Sequence, residues 1–178
     1  MFDIEANAVG SATARPLSVV GFRNQAMGFS NPLSGEGARR FGGRFNPPQS
    51  YPVVYLCTTV ECSAAELLRH AKRQNLALEA LLPRELWRIE GELSRVLDLL
   101  DKSTLEMLGV ARDDLIRDDL TLTRQIGESA YEHQFQAVLS PSATEVDQVI
   151  AVFIENLAGA VLEPALIGEW KEPQRLPA

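Results

Sequence analysis

Cysteine and histidine are scarce in this chain, with two of each: Cys57 and Cys62, His70 and His133. Two cysteines cannot staple a fold of this size, and neither residue type has the spacing or companion ligands of a zinc site. A disulfide scaffold and a metal-centred enzyme therefore lose support, as does Cys-His catalysis. Cys57 and Cys62 read instead as small buried thiols, one at a strand end and one in the first turn of a helix. No run approaches the roughly eighteen apolar residues that a spanning helix needs. The N-terminus carries Asp3 and Glu5 where a signal peptide would be basic, so the expectation is a cytoplasmic protein without a membrane segment. Basic residues are in deficit too: 17 Lys and Arg against 24 Asp and Glu leave a formal net charge of -7. That balance argues against direct, sequence-independent nucleic-acid binding, which needs a surface that neutralises phosphates. Finally, GEGARRFGG lacks both the Lys-Ser/Thr ending of a P-loop and the glycine spacing of a dinucleotide turn. No G-x-S-x-G elbow, H-E-x-x-H pair or EF-hand loop is present, and nothing in the sequence requires a metal.

What is present suits an ordinary globular protein. The chain has 178 residues, 46% hydrophobic and 23% charged, which fits one well-packed domain better than two. Residues 1–15 lack a sustained period and read as a loose lead-in, with the domain running from Pro16 to Ala178. Strands are expected at Ser18–Arg23, Val53–Leu56, Glu85–Leu93, Gln136–Leu139, Gln148–Ile154 and, at an edge, Leu162–Trp170. Helices are expected at Val60–Gln74, after Ser103 or Thr104, and in one or two pieces around Asp119. Strands mixed with helices in no regular alternation predict an α+β fold: a single domain with a split, mixed β-sheet core and flanking helices.

The densest chemistry lies between Gly35 and His70. A glycine-spaced loop holds Arg39, Arg40 and Arg44 around Gly42 and Gly43; glycines let the backbone approach an anion, and guanidiniums grip phosphate in two places at once. A short strand follows, with Tyr55 near its end, and then a helix whose apolar face carries Ala64, Leu67, Leu68 and Ala71. Glu66 sits within that face. A carboxylate there is costly to bury without a partner or a purpose. It either pairs with Arg44 or Arg69 as a satisfied ion pair, or works with arginine on opposite charges of one ligand. Ser142, after a proline in a loop, reads on its own as turn chemistry.

Taken together, GFR (Gly21 to Arg23), GEGARRFGGRFNP (Gly35 to Pro47), PVVYL (Pro52 to Leu56), SAAELLRHA (Ser63 to Ala71), LTRQIGESAY (Leu122 to Tyr131) and LSPSA (Leu139 to Ala143) resemble the RES domain. This family supplies the toxin of Xre/RES toxin-antitoxin systems. The resemblance implies a fold similar to the ADP-ribosyltransferase toxins and an enzyme that consumes NAD as substrate. It also implies an Xre-type antitoxin that covers the site, hence a hetero-oligomer. Carried over residue by residue, the family's arginine falls on Arg44, its glutamate on Glu66 and its serine on Ser142, with a second arginine at Arg23 and the strand-end tyrosine at Tyr55. The family often has an aromatic beside its first arginine, whereas here Asn24 follows Arg23 and Phe22 precedes it, and Ala137 stands where a glycine is common. By this resemblance Glu66, Arg44 and Ser142 are the catalytic candidates, and Arg23, Arg44, Tyr55, Glu66 and Ser142 hold NAD. The acceptor of the ADP-ribosyl group is left open among water, phosphate and a protein side chain. A non-catalytic nucleotide- or partner-binding module remains the competing class.

Overall fold

The computed structural model describes residues 8–29 and 31–177. Six strands organise it: β1 (Arg15–Ala26), β2 (Val53–Cys57), β3 (Arg84–Asp98), β4 (Ala137–Pro141), β5 (Gln148–Phe153) and β6 (Leu162–Trp170). Four α-helices flank them: α1 (Glu36–Phe41), α2 (Val60–Arg73), α3 (Lys102–Leu108) and α4 (Thr121–Glu132). The class is the expected α+β, in a single domain with a mixed sheet. The sheet, however, is not split. Its order β1-β2-β5-β4-β3 closes on itself through a long antiparallel β1–β3 ladder, giving a barrel-like ring with β6 appended to β3. Only β3–β4 is parallel. The weak seam is β1–β2, held by the single pair Phe22↔Cys57.

Strict alternation along the short strands explains the two cores. Val54 and Leu56 of β2, Ile150 and Val152 of β5, and Ala137 and Leu139 of β4 join Val19, Ile89 and Val96 on one face, filling the ring. The intervening residues Val53, Val138, Ala151 and Phe153 face the other way, onto Leu115, Ile126 and Phe135 beneath α3 and α4. Period-two patterning on a pleated strand produces this division.

Several local expectations are corrected. Val9 is fully buried in the second core, so packed chain begins before Pro16; residues 1–7 of the expected lead-in lie outside the described residues. The segment EGARRF is a helix, not part of a glycine-arginine loop, and its Arg39 and Arg40 stay exposed, Arg39 pairing with Glu36 at 3.3 Å. Asp101, not Ser103 or Thr104, caps α3 by accepting from Thr104 N at 2.9 Å. An ionised carboxylate outbids a hydroxyl for the positive end of a helix. Leu68, grouped with the apolar face of α2, turns outward and is half exposed.

Candidate active site

At the β1–β2 seam the sheet opens into a cleft of about 620 Å³, within the usual range for small-molecule sites. Arg23, Arg44, Tyr55 and Glu66 all line it, and so do Arg69, Arg73 and Arg124. Among the described residues Glu66 is the one carboxylate in the lining, so an acidic protein keeps a strongly cationic cleft.

Arg44 projects from a tight turn that the sequence builds with care. Gly43 N donates to Asn46 O at 2.9 Å, which closes the turn, and Phe45 at its centre is fully buried. Tyr55 threads the turn from β2: its hydroxyl accepts from Phe45 N at 2.8 Å and donates to Asn46 Oδ1 at 2.7 Å. Tyr51 Oη donates to Phe45 O at 2.9 Å, and Arg124 Nε donates to Gly43 O at 3.1 Å. Asn46, wholly buried, donates through Nδ2 to Ala38 O at 2.7 Å and ties the turn to α1. No side chain could replace hydrogen at two glycines: a Cβ on Gly43 would stand 2.5 Å from Tyr55 Oη, and one on Gly127 of α4 would stand 1.9 Å from Phe45 O. From this base Arg44 reaches the 3-10 turn Arg112–Ile116, where Nη1 donates to Leu115 O and Arg117 O, each at 2.9 Å. One nitrogen is thus spent on orientation, and the rest of the guanidinium fork stays available to an anion.

Arg23, at the end of β1, donates through Nη1 to Pro32 O at 2.8 Å, while its buried Nε meets no partner. Burial, aided by neighbouring Arg84, pulls its pKa down from the ordinary 12.5 to about 10. Burial also lowers Arg44, with Arg69 pushing the same way and the charge of Glu66 opposing. A buried, under-satisfied guanidinium lining a cleft is the residue type that an incoming phosphate would complete.

Glu66 rises from the second turn of α2, whose start is set by Thr59 accepting from Cys62 N at 3.1 Å. Among the described residues it forms no ion pair, so the satisfied-pair reading with Arg44 or Arg69 fails; Arg69 pairs with Asp118 instead. Its partner is Ser142, whose Oγ donates to Glu66 Oε1 at 2.7 Å. Ser142 is wholly buried behind the carboxylate and absent from the cleft lining. It is held in turn by Thr144, whose N donates to Ser142 Oγ at 3.1 Å and whose hydroxyl lies 2.6 Å away. The expected serine therefore contacts Glu66 and does not itself line the cleft. Burial pushes the Tyr55 phenol far above its ordinary range, so this residue offers a ring wall and not a proton. Cys57 and Cys62 are buried and unbridged, and the hydrogen bond from Cys62 together with burial pushes the Cys57 thiol far up, away from the thiolate form.

Sequence reasoning thus named four of the lining residues and missed others. Arg69 and Arg73 were legible as the same helix face as Glu66, one and two turns on. Arg124 and Asn46 lay inside the family-like segments, yet nothing local marks them as the braces of the arginine turn. Asn24, beside Arg23, links β1 to α2 across the seam, its amide donating to Ser63 Oγ at 2.9 Å and to Ser63 O at 3.1 Å.

The profile of the RES domain family matches residues 19–174. MbcT, an NAD(+) phosphorylase of Mycobacterium tuberculosis and Mycobacterium bovis, is 36% identical over 123 residues, 68% of this chain and 66% of the relative. A probable NAD(+) phosphorylase of M. tuberculosis is 33% identical over 138 residues, covering 75% of this chain and 63% of that protein. The matches thus span just under two thirds of these relatives' lengths. In three dimensions the chain is similar to the crystal structure of the M. tuberculosis MbcT-MbcA toxin-antitoxin complex, at a TM-score of 0.76 and 27% identity over 91% of each chain.

Proposed function

The chain belongs to the RES domain family, and from that premise we propose that it is the toxin of a toxin-antitoxin pair that degrades NAD by phosphorolysis. One observation carries the reading: a single oriented carboxylate, Glu66, and the braced Arg44 look into one cleft without neutralising each other. Cleaving the bond between ribose and nicotinamide builds positive charge on the sugar, as in glycoside hydrolysis. An ionised carboxylate about 4 Å from that charge, at an effective dielectric near 20, contributes roughly 4 kcal/mol, or about three powers of ten in rate. Arg23 and Arg44 hold the pyrophosphate, Tyr55 supplies a ring for nicotinamide to stack on, and Ser142 aims Glu66. Nicotinamide leaves as a neutral ring and takes the bond's electron pair, so no general acid is needed and no step calls for a metal.

Phosphate is the acceptor that the phosphorylase relatives favour; water would make the same site a glycohydrolase. The ADP-ribosyltransferase alternative, in fold and in activity, gains nothing from the comparisons. By analogy with the MbcT-MbcA complex the partner is an antitoxin, of Xre type by the family resemblance, and the substrate is cytoplasmic NAD. No helix of the described residues is long and apolar enough to cross a membrane. Incubating the purified protein with NAD, and following free nicotinamide with and without phosphate, tests the reading. Product mass distinguishes ADP-ribose from ADP-ribose phosphorylated at the anomeric carbon. No release under any condition, cell extract included, would leave a nucleotide- or partner-binding module.

A further inference from the structure

Two cationic residues of the cleft have no role in NAD binding or in bond cleavage as derived above. Arg69 and Arg73 follow Glu66 along the same face of α2, where residues three and four apart are neighbours, and both line the cleft. Arg69 Nη2 lies 2.6 Å from Asp118 Oδ1, and Arg73 Nη1 lies 3.9 Å from that same oxygen. The partners differ in burial: the side chain of Arg69 is 21% exposed and that of Asp118 is 81% exposed. A carboxylate standing in solvent can swing away without losing packing, whereas the guanidinium beside Glu66 stays. One anionic oxygen already sits against both cations, from Asp118 in the adjoining depression that shares Leu120 and Arg124 with the cleft.

Phosphorolysis needs such a place. The attacking phosphate carries charge of the same sign as Glu66, and it must approach the ribose carbon that Glu66 faces. Unscreened, the two would repel. The pyrophosphate of NAD engages Arg23 and Arg44, and Arg124, on α4, braces the arginine turn through Nε to Gly43 O. The cleft arginines on Glu66's own helix, one and two turns from it, are Arg69 and Arg73.

Resting on the phosphorolytic reading, we propose that Arg69 and Arg73 form the subsite for inorganic phosphate, and that Asp118 occupies it as a placeholder until phosphate displaces it. A phosphate oxygen then forms the bond to the anomeric carbon while the carbon–nitrogen bond breaks and its electron pair leaves with nicotinamide. No further reactant is required.

The test is a matrix of initial rates of nicotinamide release, varying NAD and inorganic phosphate, for wild type, Arg69→Gln and Asp118→Asn. Loss of a charge-assisted contact raises the phosphate KM of Arg69→Gln by about tenfold or more, while the NAD KM moves by less than about twofold. Asp118→Asn, which removes the competing carboxylate, lowers the phosphate KM. An equal rise of both KM values in Arg69→Gln would place that residue on NAD and overturn the proposal. A phosphate KM that neither substitution moves would overturn it too. Should Arg69→Gln fail to fold, Asp118→Asn at its exposed position decides alone. A wild-type rate indifferent to phosphate sinks the phosphorylase reading and the subsite together; phosphate-dependent wild type with unmoved variants sinks only the subsite.

Discussion

Replacing Arg23 by methionine should weaken NAD binding by about thirtyfold without weakening the fold. Arg23 is held at a cost: burial and Arg84 bring its pKa from 12.5 to about 10, a difference worth roughly 3 kcal/mol against the charged form. The sign follows from linkage. A cation whose folded pKa lies below its unfolded value carries this penalty in full at neutral pH, and loses it only as pH rises past about 10. Set against it is the hydrogen bond from Nη1 to Pro32 O, worth about 1.5–3 kcal/mol for a charged donor. Methionine keeps most of the stem's volume and removes both effects, so the net change runs from about zero to about 1.5 kcal/mol of added stability. For a chain of this size that is a rise in Tm of up to about 6 °C. Thermal unfolding at pH 7 measures the stability, and calorimetric titration with NAD measures the loss of affinity, about 2 kcal/mol or thirtyfold for one charged contact. A variant destabilised by more than about 2 kcal/mol would refute the idea that Arg23 is kept for its ligand.

Three further outcomes are expected. Ser142→Ala deletes the donor on Glu66 Oε1 and should lower kcat by ten- to a hundredfold with little change in NAD KM, since a charge-assisted hydrogen bond is worth about 1.5–3 kcal/mol; an unchanged kcat would remove the serine from the mechanism. Gly127→Ala should lose at least about 2 kcal/mol in chemical denaturation, because the clash with Phe45 O outweighs the roughly 1 kcal/mol that alanine gains in helix propensity. Above about pH 10 the protein should lose stability steeply. Tyr51 and Tyr55 have folded pKa values raised by burial, and Tyr131 is pushed up to about 12 by its bond to Glu155; raised pKa values mean stability present below the unfolded value and lost as these phenols ionise. Tyr51→Phe should flatten that slope in Tm measured against pH.

The strands and the main helices were legible because burial imposes its period on the sequence. PVVYL and QVIAVF pack on both faces, and SAAELLRHA keeps a helical stripe. Closure of the sheet was not legible: it rests on β1 lying along β3, residues 15–26 against 84–96, a pairing that no local pattern encodes. The helix EGARRF was hidden because Gly35, Gly37 and Gly42 punctuate it as a loop would be punctuated. In the site, the residue types of Arg23, Arg44, Tyr55 and Glu66 gave their own chemistry, and the family resemblance brought them together. The contact of Ser142 with Glu66 was invisible from its sequence neighbours, since proline and serine after a strand announce a turn. Only the approach of α2 behind that turn makes the hydroxyl a support for Glu66. Asn46 and Arg124 escaped for the same reason, because their partners are backbone atoms that become neighbours only on folding.

The central claim is that Glu66 stabilises charge on the ribose and does not merely hold the fold together. Nicotinamide release by wild type and Glu66→Gln, at saturating NAD and phosphate, tests it most directly, with melting curves and NAD titration run on the same samples. The expected result is an equally folded variant that still binds NAD and turns over about a thousandfold more slowly. Turnover at the wild-type rate by Glu66→Gln would contradict it.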